Sequence, residues 1–332
     1  MCRPNLTLSQ RLVKRVLAPF ARPFTSMPGQ SFAGEPKPLS RDQLLLKDRL
    51  RLHIEKIAVQ IGERSPKYPE RIEFCENYIA AQFALAGLSV SSQAFQFAGL
   101  TMHNIIAEIK GSAYNGEVIV IGAHFDSIGP GANDNTSGVS ALIELARYFA
   151  KLPYKNRPKR TIRFVAFANE EDSGEAWQNM GSYHYAQLCK ARRENIVGMI
   201  SLEMLGCFLH EPGSQKYPFP FNLFYPDKGN FIGFVANRAS LAFVKDVIGK
   251  FRQVAQFPSE GVAAPEIFAD ISRSDHWSFW QFGYPALMVT DTSNFRFQHL
   301  HLDSDTPDKI DFDSMTRIVD AMVEVVAHLA NK

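Results

Sequence analysis

Five places in this sequence put carboxylates and imidazoles where a metal ion could be held and a proton moved. His124 and Asp126 stand at the end of the apolar run Val118-Ile119-Val120-Ile121, and Asp134 follows on the loop Gly129-Pro130-Gly131-Ala132-Asn133. Glu170 and Glu171 come just after a second β-rich run, Thr161 to Ala168. Glu203 closes a third, Ile196 to Leu202. His301 lies on the loop after a fourth, Pro285 to Thr290. Imidazole and carboxylate are the donors that suit zinc. Adjacent residues at a strand end point in opposite directions, so Glu170 and Glu171 need different partners, one binding metal and the other facing a substrate. A cluster of buried acids is costly without cations. The economical arrangement is two divalent ions sharing one carboxylate.

These residues must be positioned by strands that end together. Short apolar runs bounded by turn residues read as buried strands. Between them lie helical patterns: 139–152 after the first site loop, a segment around 183–188, 240–256, and a closing helix 311–330 with apolar spacing at Met315, Ile318, Val319, Met322, Val325, Val326 and Leu329. Upstream, Ser40 caps a helix reaching Ile61, a second helix spans 70–86 with Gly87 as its stop, and strands follow at 89–97 and 104–109. Strands and helices alternate from residue 104 to the end, which predicts an α/β domain with a largely parallel sheet and helices on both faces. In such sheets ligands sit beyond the carboxyl ends of the strands, where the acids and histidines fall. Residues 205–230 form a long loop with many prolines, glycines and aromatics, a candidate lid or specificity element. Its Phe208, Tyr217, Phe219, Phe221, Phe224 and Tyr225 are either a hydrophobic pocket wall or loop packing. Glu175 and Trp177 are further candidates to line the pocket, Trp177 equally for the core.

Composition bounds the rest. The chain has 332 residues, is 45% hydrophobic and carries a formal net charge of +2, so no nucleic-acid partner is implied. Cys2, Cys75, Cys189 and Cys207 have no CxxC spacing and read as free thiols rather than a disulfide framework. No apolar run reaches the ~18 residues of a membrane span. Residues 1–40 read as a basic, flexible tail and linker ahead of a domain over 41–332. The first 34 residues hold Arg3, Arg11, Lys14, Arg15 and Arg22 and no acid. A targeting helix is the other reading of that tail, but it has no signal-peptide core. The compartment stays open, with the cytoplasm favoured.

The motifs together resemble the zinc aminopeptidase and carboxypeptidase family with a co-catalytic metal pair, metallopeptidase family 28. They are His124-Phe125-Asp126-Ser127, Gly131-Ala132-Asn133-Asp134-Asn135-Thr136-Ser137-Gly138, Asn169-Glu170-Glu171, Leu202-Glu203-Met204-Leu205-Gly206, Ser274-Asp275-His276, and the stretch from His301 to Asp311. The resemblance implies a phosphorylase/hydrolase-like three-layer α/β/α sandwich with a mixed, largely parallel sheet. It implies two zinc ions, with Asp134 bridging them, His124 and Glu203 completing one site, and Glu171 and His301 the other. It makes Glu170 the general base and Asp126 a partner of the far nitrogen of His124, and it implies a cis peptide at Asp134-Asn135. The expected activity is removal of the N-terminal residue of a peptide, with an apolar residue preferred. Glu203 departs from the family pattern, where most aminopeptidases carry Asp, so a carboxypeptidase or amide hydrolase stays an alternative. A glutaminyl cyclase-like aminoacyltransferase and a metal-free binding module are the other two.

Elsewhere bland readings suffice. His53, His103, His184, His210 and His328 have no motif partners and read as surface or packed histidines. His301 is preferred over His299 as the ligand. Asp303 and Asp305 read as loop-capping acids, and Asp308 and Asp311 as caps of the last helix. No GxGxxG, GK[ST] or GxSxG element is present, which disfavours nucleotide binding and a serine nucleophile.

Overall fold

The structure, a computed structural model, describes residues 7–171 and 176–332. Glu175 and Cys2 therefore lie outside the described residues. In chain order the helices and strands are α1 (Leu8–Thr25), α2 (Arg41–Ile54), continued by a wider turn Glu55–Ile61, α3 (Pro69–Leu85), β1 (Val90–Phe97), β2 (Leu100–Ile109), β3 (Tyr114–His124) and α4 (Thr136–Ala150). They continue as β4 (Arg160–Phe167), α5 (Gly181–Ala191), β5 (Asn195–Glu203), β6 (Ile232–Asn237), α6 (Leu241–Val254), β7 (Ser259–Ala264), α7 (His276–Gln281), β8 (Ala286–Thr290) and α8 (Phe312–Asn331).

The strands form one eight-stranded sheet in the order β1-β2-β4-β3-β5-β8-β6-β7. The pairings β3–β4, β3–β5, β5–β8 and β6–β7 are parallel. Those of β1–β2, β2–β4 and β6–β8 are antiparallel. The continuous apolar runs of β3 and β4 are explained by burial on both faces. Ile119, Ile121, Ile162 and Phe164 pack into the core with α4 and α8, while Val118, Val120, Val165 and Phe167 pack with Tyr185 of α5 and Phe279 of α7. Each such side chain contributes about 1.5–3 kcal/mol by leaving water.

Two elements escape a sequence reading. β7 reads Ser-Glu-Gly-Val-Ala-Ala, too short and too small in its side chains to give a periodic signal, and its partner β6 makes it a strand. α7 has six residues and is held by burial of His276, Ser278, Phe279 and Trp280. Part of the basic segment is described. α1 opens on a Thr7 capping box, and Ser31 accepts the Ser259 N–H at 2.7 Å, tying the following segment to β7. Among the described residues no helix is long and apolar enough to cross a membrane.

Candidate metal centre

The central strands β4, β3 and β5 run parallel, so their carboxyl ends open on one edge of the sheet. The register places Gly122 beside Ser201 and His124 beside Phe167. Two residues further on, that alignment brings His124 level with Glu203. The chain then leaves β3 through a tight loop and re-enters as α4, with Asn135 as its N-cap. Asn135 knits the loop to β5: its Oδ1 accepts the N–H of Gly138 at 3.1 Å and of Met204 at 3.0 Å, and its Nδ2 donates to the Leu202 carbonyl at 2.9 Å. Asp305 holds the other side, accepting the N–H of Asn133 at 2.8 Å and of Asp134 at 3.0 Å. The Asp134–Asn135 peptide is cis.

Asp134 is thereby presented with its two oxygens facing different histidines. Oδ1 lies 3.5 Å from His124 Nε2, and Glu203 Oε2 lies 3.3 Å from the same nitrogen. Oδ2 lies 3.2 Å from His301 Nε2, and Glu171 Oε2 lies 2.9 Å from it. The donor atoms of His124, Asp134 and Glu203 fall within 4.8 Å of one another, as do those of Asp134, Glu171 and His301, and those of His124, Glu170 and Glu171. Residues 177 positions apart in sequence, His124 and His301, thus share one carboxylate. Asn169, Met204 and His301 adopt positive φ of 60°, 53° and 58°, a conformation that costs about 1–3 kcal/mol in non-glycine residues and clusters at functional sites.

Asp126 does more than face His124. Its Oδ1 is 3.4 Å from His124 Nδ1, but its shorter contacts are to the backbone beyond β4. Oδ1 accepts the Glu170 N–H at 3.0 Å and Oδ2 the Glu171 N–H at 2.9 Å. One carboxylate therefore orients the histidine and fixes the turn that carries both glutamates. Glu203 is steadied by the Ser274 hydroxyl, which donates to its Oε2 at 2.7 Å. Of the Ser274-Asp275-His276 motif it is the serine that reaches a proposed ligand. Asp275 is fully buried, which pushes its carboxyl up to about 7 despite the nearby His124. His276 is buried and pulled down to about 4, with Nε2 2.7 Å from the Ile271 carbonyl.

The donor set is short of positive charge. Burial raises the Glu170 carboxyl well above its ordinary range, with His124 opposing and Glu171 and Glu203 adding to the rise. Burial and the Asp134 charge push Glu171 up to about 8. Among the described residues its buried Oε1 has no hydrogen-bond partner. Buried carboxylates left in that state are expensive, and a divalent cation is the group that would satisfy them.

Arg64 is the residue that a sequence reading missed. It sits in a turn with no motif, yet its guanidinium is fully buried beneath the site loop. Nε donates to the Phe125 carbonyl at 2.6 Å, Nη1 to the Gly62 and Pro130 carbonyls at 2.7 and 2.8 Å, and Nη2 to Thr136 Oγ1 at 3.0 Å. The signal was absent because all of these acceptors are remote or backbone. Arg64→Met should lower the unfolding free energy by about 3 kcal/mol or more. Urea unfolding would show this as a lower midpoint at unchanged slope, and a midpoint equal to wild type would remove Arg64 from this role.

The remaining residues take structural places. His53 lies between Tyr78 and Glu144, His103 against Glu76, and His328 against Asp246. His184 stacks on Phe95, and His210 is exposed. His299 meets Ser304 rather than the centre. Asp311 caps α8 by accepting the Ser314 N–H. Asp308 does not cap that helix; it sits in the preceding turn Pro307–Lys309, where it meets Thr306 and Lys309. Cys75, Cys189 and Cys207 are free and buried. Trp177 packs edge-on against Trp277.

A cavity of about 240 Å³ opens from the centre and takes Asp134, Glu170, Glu171, Glu203 and His301 into its lining. Tyr217, Phe221 and Tyr225 of the long loop form part of its wall. Phe208 instead packs on Phe257, and Phe219 is exposed. The loop is pinned by buried Arg296, whose Nε donates to Gln215 Oε1 at 2.7 Å and whose Nη1 donates to the Phe231 carbonyl at 2.9 Å.

Residues 104–326 match the family described as Peptidase family M28. An Escherichia coli K12 protein, uncharacterized protein YfbL, is 33% identical over 291 residues, covering 84% of this chain and 87% of its own length. A probable zinc metalloprotease of Pyrenophora teres f. teres is 29% identical over 245 residues, covering 67% of this chain and 48% of its own. The chain thus spans most of the first relative and about half of the second. Among solved structures, the zinc aminopeptidase BSAP of Bacillus subtilis aligns with a TM-score of 0.68 at 14% identity, over 86% of this chain and 95% of that one. The glutaminyl cyclase of Fimbriiglobus ruber aligns at 0.61 and 20%, over 89% and 97%. At these identities the likeness is one of fold.

Proposed function

Starting from the fact that the chain belongs to peptidase family M28, we propose that it is a zinc-dependent exopeptidase that removes N-terminal residues from peptides. The observation that carries this reading is the Asp134 carboxylate, which offers one oxygen to His124 with Glu203 and the other to His301 with Glu171. Those two groups of donors would hold two zinc ions, and the buried Glu171 Oε1, without a hydrogen-bond partner among the described residues, suits a cation's ligand. Bound there, zinc supplies Lewis acidity to a scissile carbonyl and to the attacking water.

The protein's own residues do the rest. Glu170 lines the cavity beside the ligand groups without belonging to either pair that shares Asp134, and burial raises its carboxyl as it does that of Glu171, which suits a general base that takes the water's proton and returns it to the leaving amine. Asp126 fixes the backbone N–H groups of Glu170 and Glu171, so the base and a ligand keep their spacing.

The relative named a probable zinc metalloprotease supports this reading. The cyclase fold likeness keeps aminoacyl transfer as the rival, but His124 in the first group of donors favours two metals and hydrolysis. Leucine tripeptides with free or blocked ends, together with a peptide that begins with glutamine, followed by mass spectrometry, decide between them. The expected result is release of the N-terminal leucine, abolished by an amino block and by a chelator and restored by zinc. Release from the carboxyl end would make Glu203 the mark of a carboxypeptidase. Conversion of N-terminal glutamine to pyroglutamate without peptide cleavage would establish the cyclase.

A further inference from the structure

Sheet register carries the cavity away from the metal centre along a defined line. Glu203 pairs with Thr290, Thr290 with Gly233, and Gly233 with Glu260. Paired residues share a face of the sheet, so all four look the same way, toward the side of α5 and α7. The adjacent row on that face, Met288, Val235 and Val262, is apolar. All of these residues except α5 and α7 line the cavity. Gly233 contributes no side chain, so the floor between Thr290 and Glu260 is left open. Three strand spacings separate Glu203 from Glu260, about 14 Å at the backbone. The cavity is therefore a trough with carboxylates at both ends and an apolar floor between.

The far carboxylate has no counter-ion among the described residues. Asp270 and Arg273 also border the cavity, but they pair with each other at 3.2 Å. Arg252, whose charge acts on Glu260, has its guanidinium taken by Ser259 Oγ at 3.1 Å, the Ser259 carbonyl at 2.8 Å and the Pro28 carbonyl at 3.1 Å. Burial pushes the Glu260 carboxyl up to about 7, with Arg252 first among the charges that oppose the rise. A carboxylate kept in an apolar trough without a partner is costly, unless a cation arrives with the ligand.

We infer that Glu260 selects the substrate: the trough receives the side chain of the N-terminal residue, and Glu260 pairs with the cationic tip of an arginine or lysine there. This rests on the aminopeptidase reading above and names its substrate class. A long basic side chain has an apolar stem for Met288, Val235 and Val262 and a charged end for Glu260. The wall adds to the fit for arginine. Tyr225 is fixed by donating its hydroxyl to the Gly261 carbonyl at 2.8 Å, and Tyr217 lies 5.7 Å from its ring. Such aromatic faces favour a planar guanidinium. A basic preference differs from the apolar one that the family likeness implies.

The test compares kcat/KM for tripeptides that differ only in the first residue, arginine, lysine or leucine, on zinc-loaded wild type, Glu260→Gln and Glu260→Asp. Wild type should prefer arginine and lysine to leucine by tenfold or more. Glu260→Gln should lower the two basic substrates by about 10–100-fold, mainly through KM, and leave leucine within about threefold. Glu260→Asp should recover part of the loss. An equal loss on all three substrates, or a wild type that prefers leucine and is unmoved by Glu260→Gln, overturns the assignment while leaving the aminopeptidase reading intact. Release of no N-terminal residue from any of the peptides overturns both.

Discussion

Glu170→Gln is expected to lower kcat about a thousandfold while leaving the zinc content and the fold unchanged. The glutamine keeps the size of the side chain and the backbone N–H that Asp126 accepts, so the turn after β4 stays in place. What it loses is the ability to take a proton. General acid–base contributions run at about 10²–10⁴ in rate, and a transition-state loss of this kind falls on kcat and kcat/KM together. Burial and the neighbouring Glu171 and Glu203 already hold the Glu170 carboxyl high, so replacing it by a neutral amide relieves charge crowding rather than creating it. Metal content by atomic emission and thermal unfolding should match wild type. Retention of more than about a tenth of the activity would assign the proton transfer elsewhere, and loss of zinc would show that Glu170 is a ligand.

The second large effect is expected from Asp134→Ala. Both groups of donors proposed to hold zinc include this carboxylate. Its removal leaves His124 with Glu203 and His301 with Glu171, two side-chain donors each, and such pairs hold zinc weakly. Metal content should fall from two zinc ions per chain to one or fewer, and peptidase activity should be lost. Any group that binds only the folded state stabilises it by mass action, so wild type loaded with zinc should melt above chelated wild type, and this difference should shrink or vanish in the variant. By contrast Glu203→Ala should spare the Glu171–His301 group. A full complement of two zinc ions in Asp134→Ala would remove it from the bridging position.

Much of this site is legible in the chain because strand ends are easy to read. His124, Glu170, Glu171 and Glu203 each follow an apolar run long enough to be a buried strand, and in parallel sheets such ends converge. Other parts leave no local trace. Arg64 is a single basic residue in a turn, and its partners in the site loop, Phe125, Pro130 and Thr136, are 61 or more positions away. β7 has no periodicity of its own and exists because β6 offers it a hydrogen-bonding edge. The aromatic loop showed its composition but not its division of labour, since Tyr217, Phe221 and Tyr225 reach the cavity while Phe208 turns into the core.

By itself the sequence determined the chemistry available: which side chains can ligate, which can move a proton, and that all of them stand at one edge of an α/β sheet. It could do so because donor type is a property of the residue, and the burial of a strand is written in its run of apolar neighbours. The tertiary structure alone decided pairing and reach. The oxygen of Asp134 that faces each histidine depends on a loop locked by Asn135, Asp305 and Arg64. The placing of Glu260 on one line with Glu203 depends on the register of four strands from distant parts of the chain. Register is set by how whole strands pack, so no single stretch of sequence contains it.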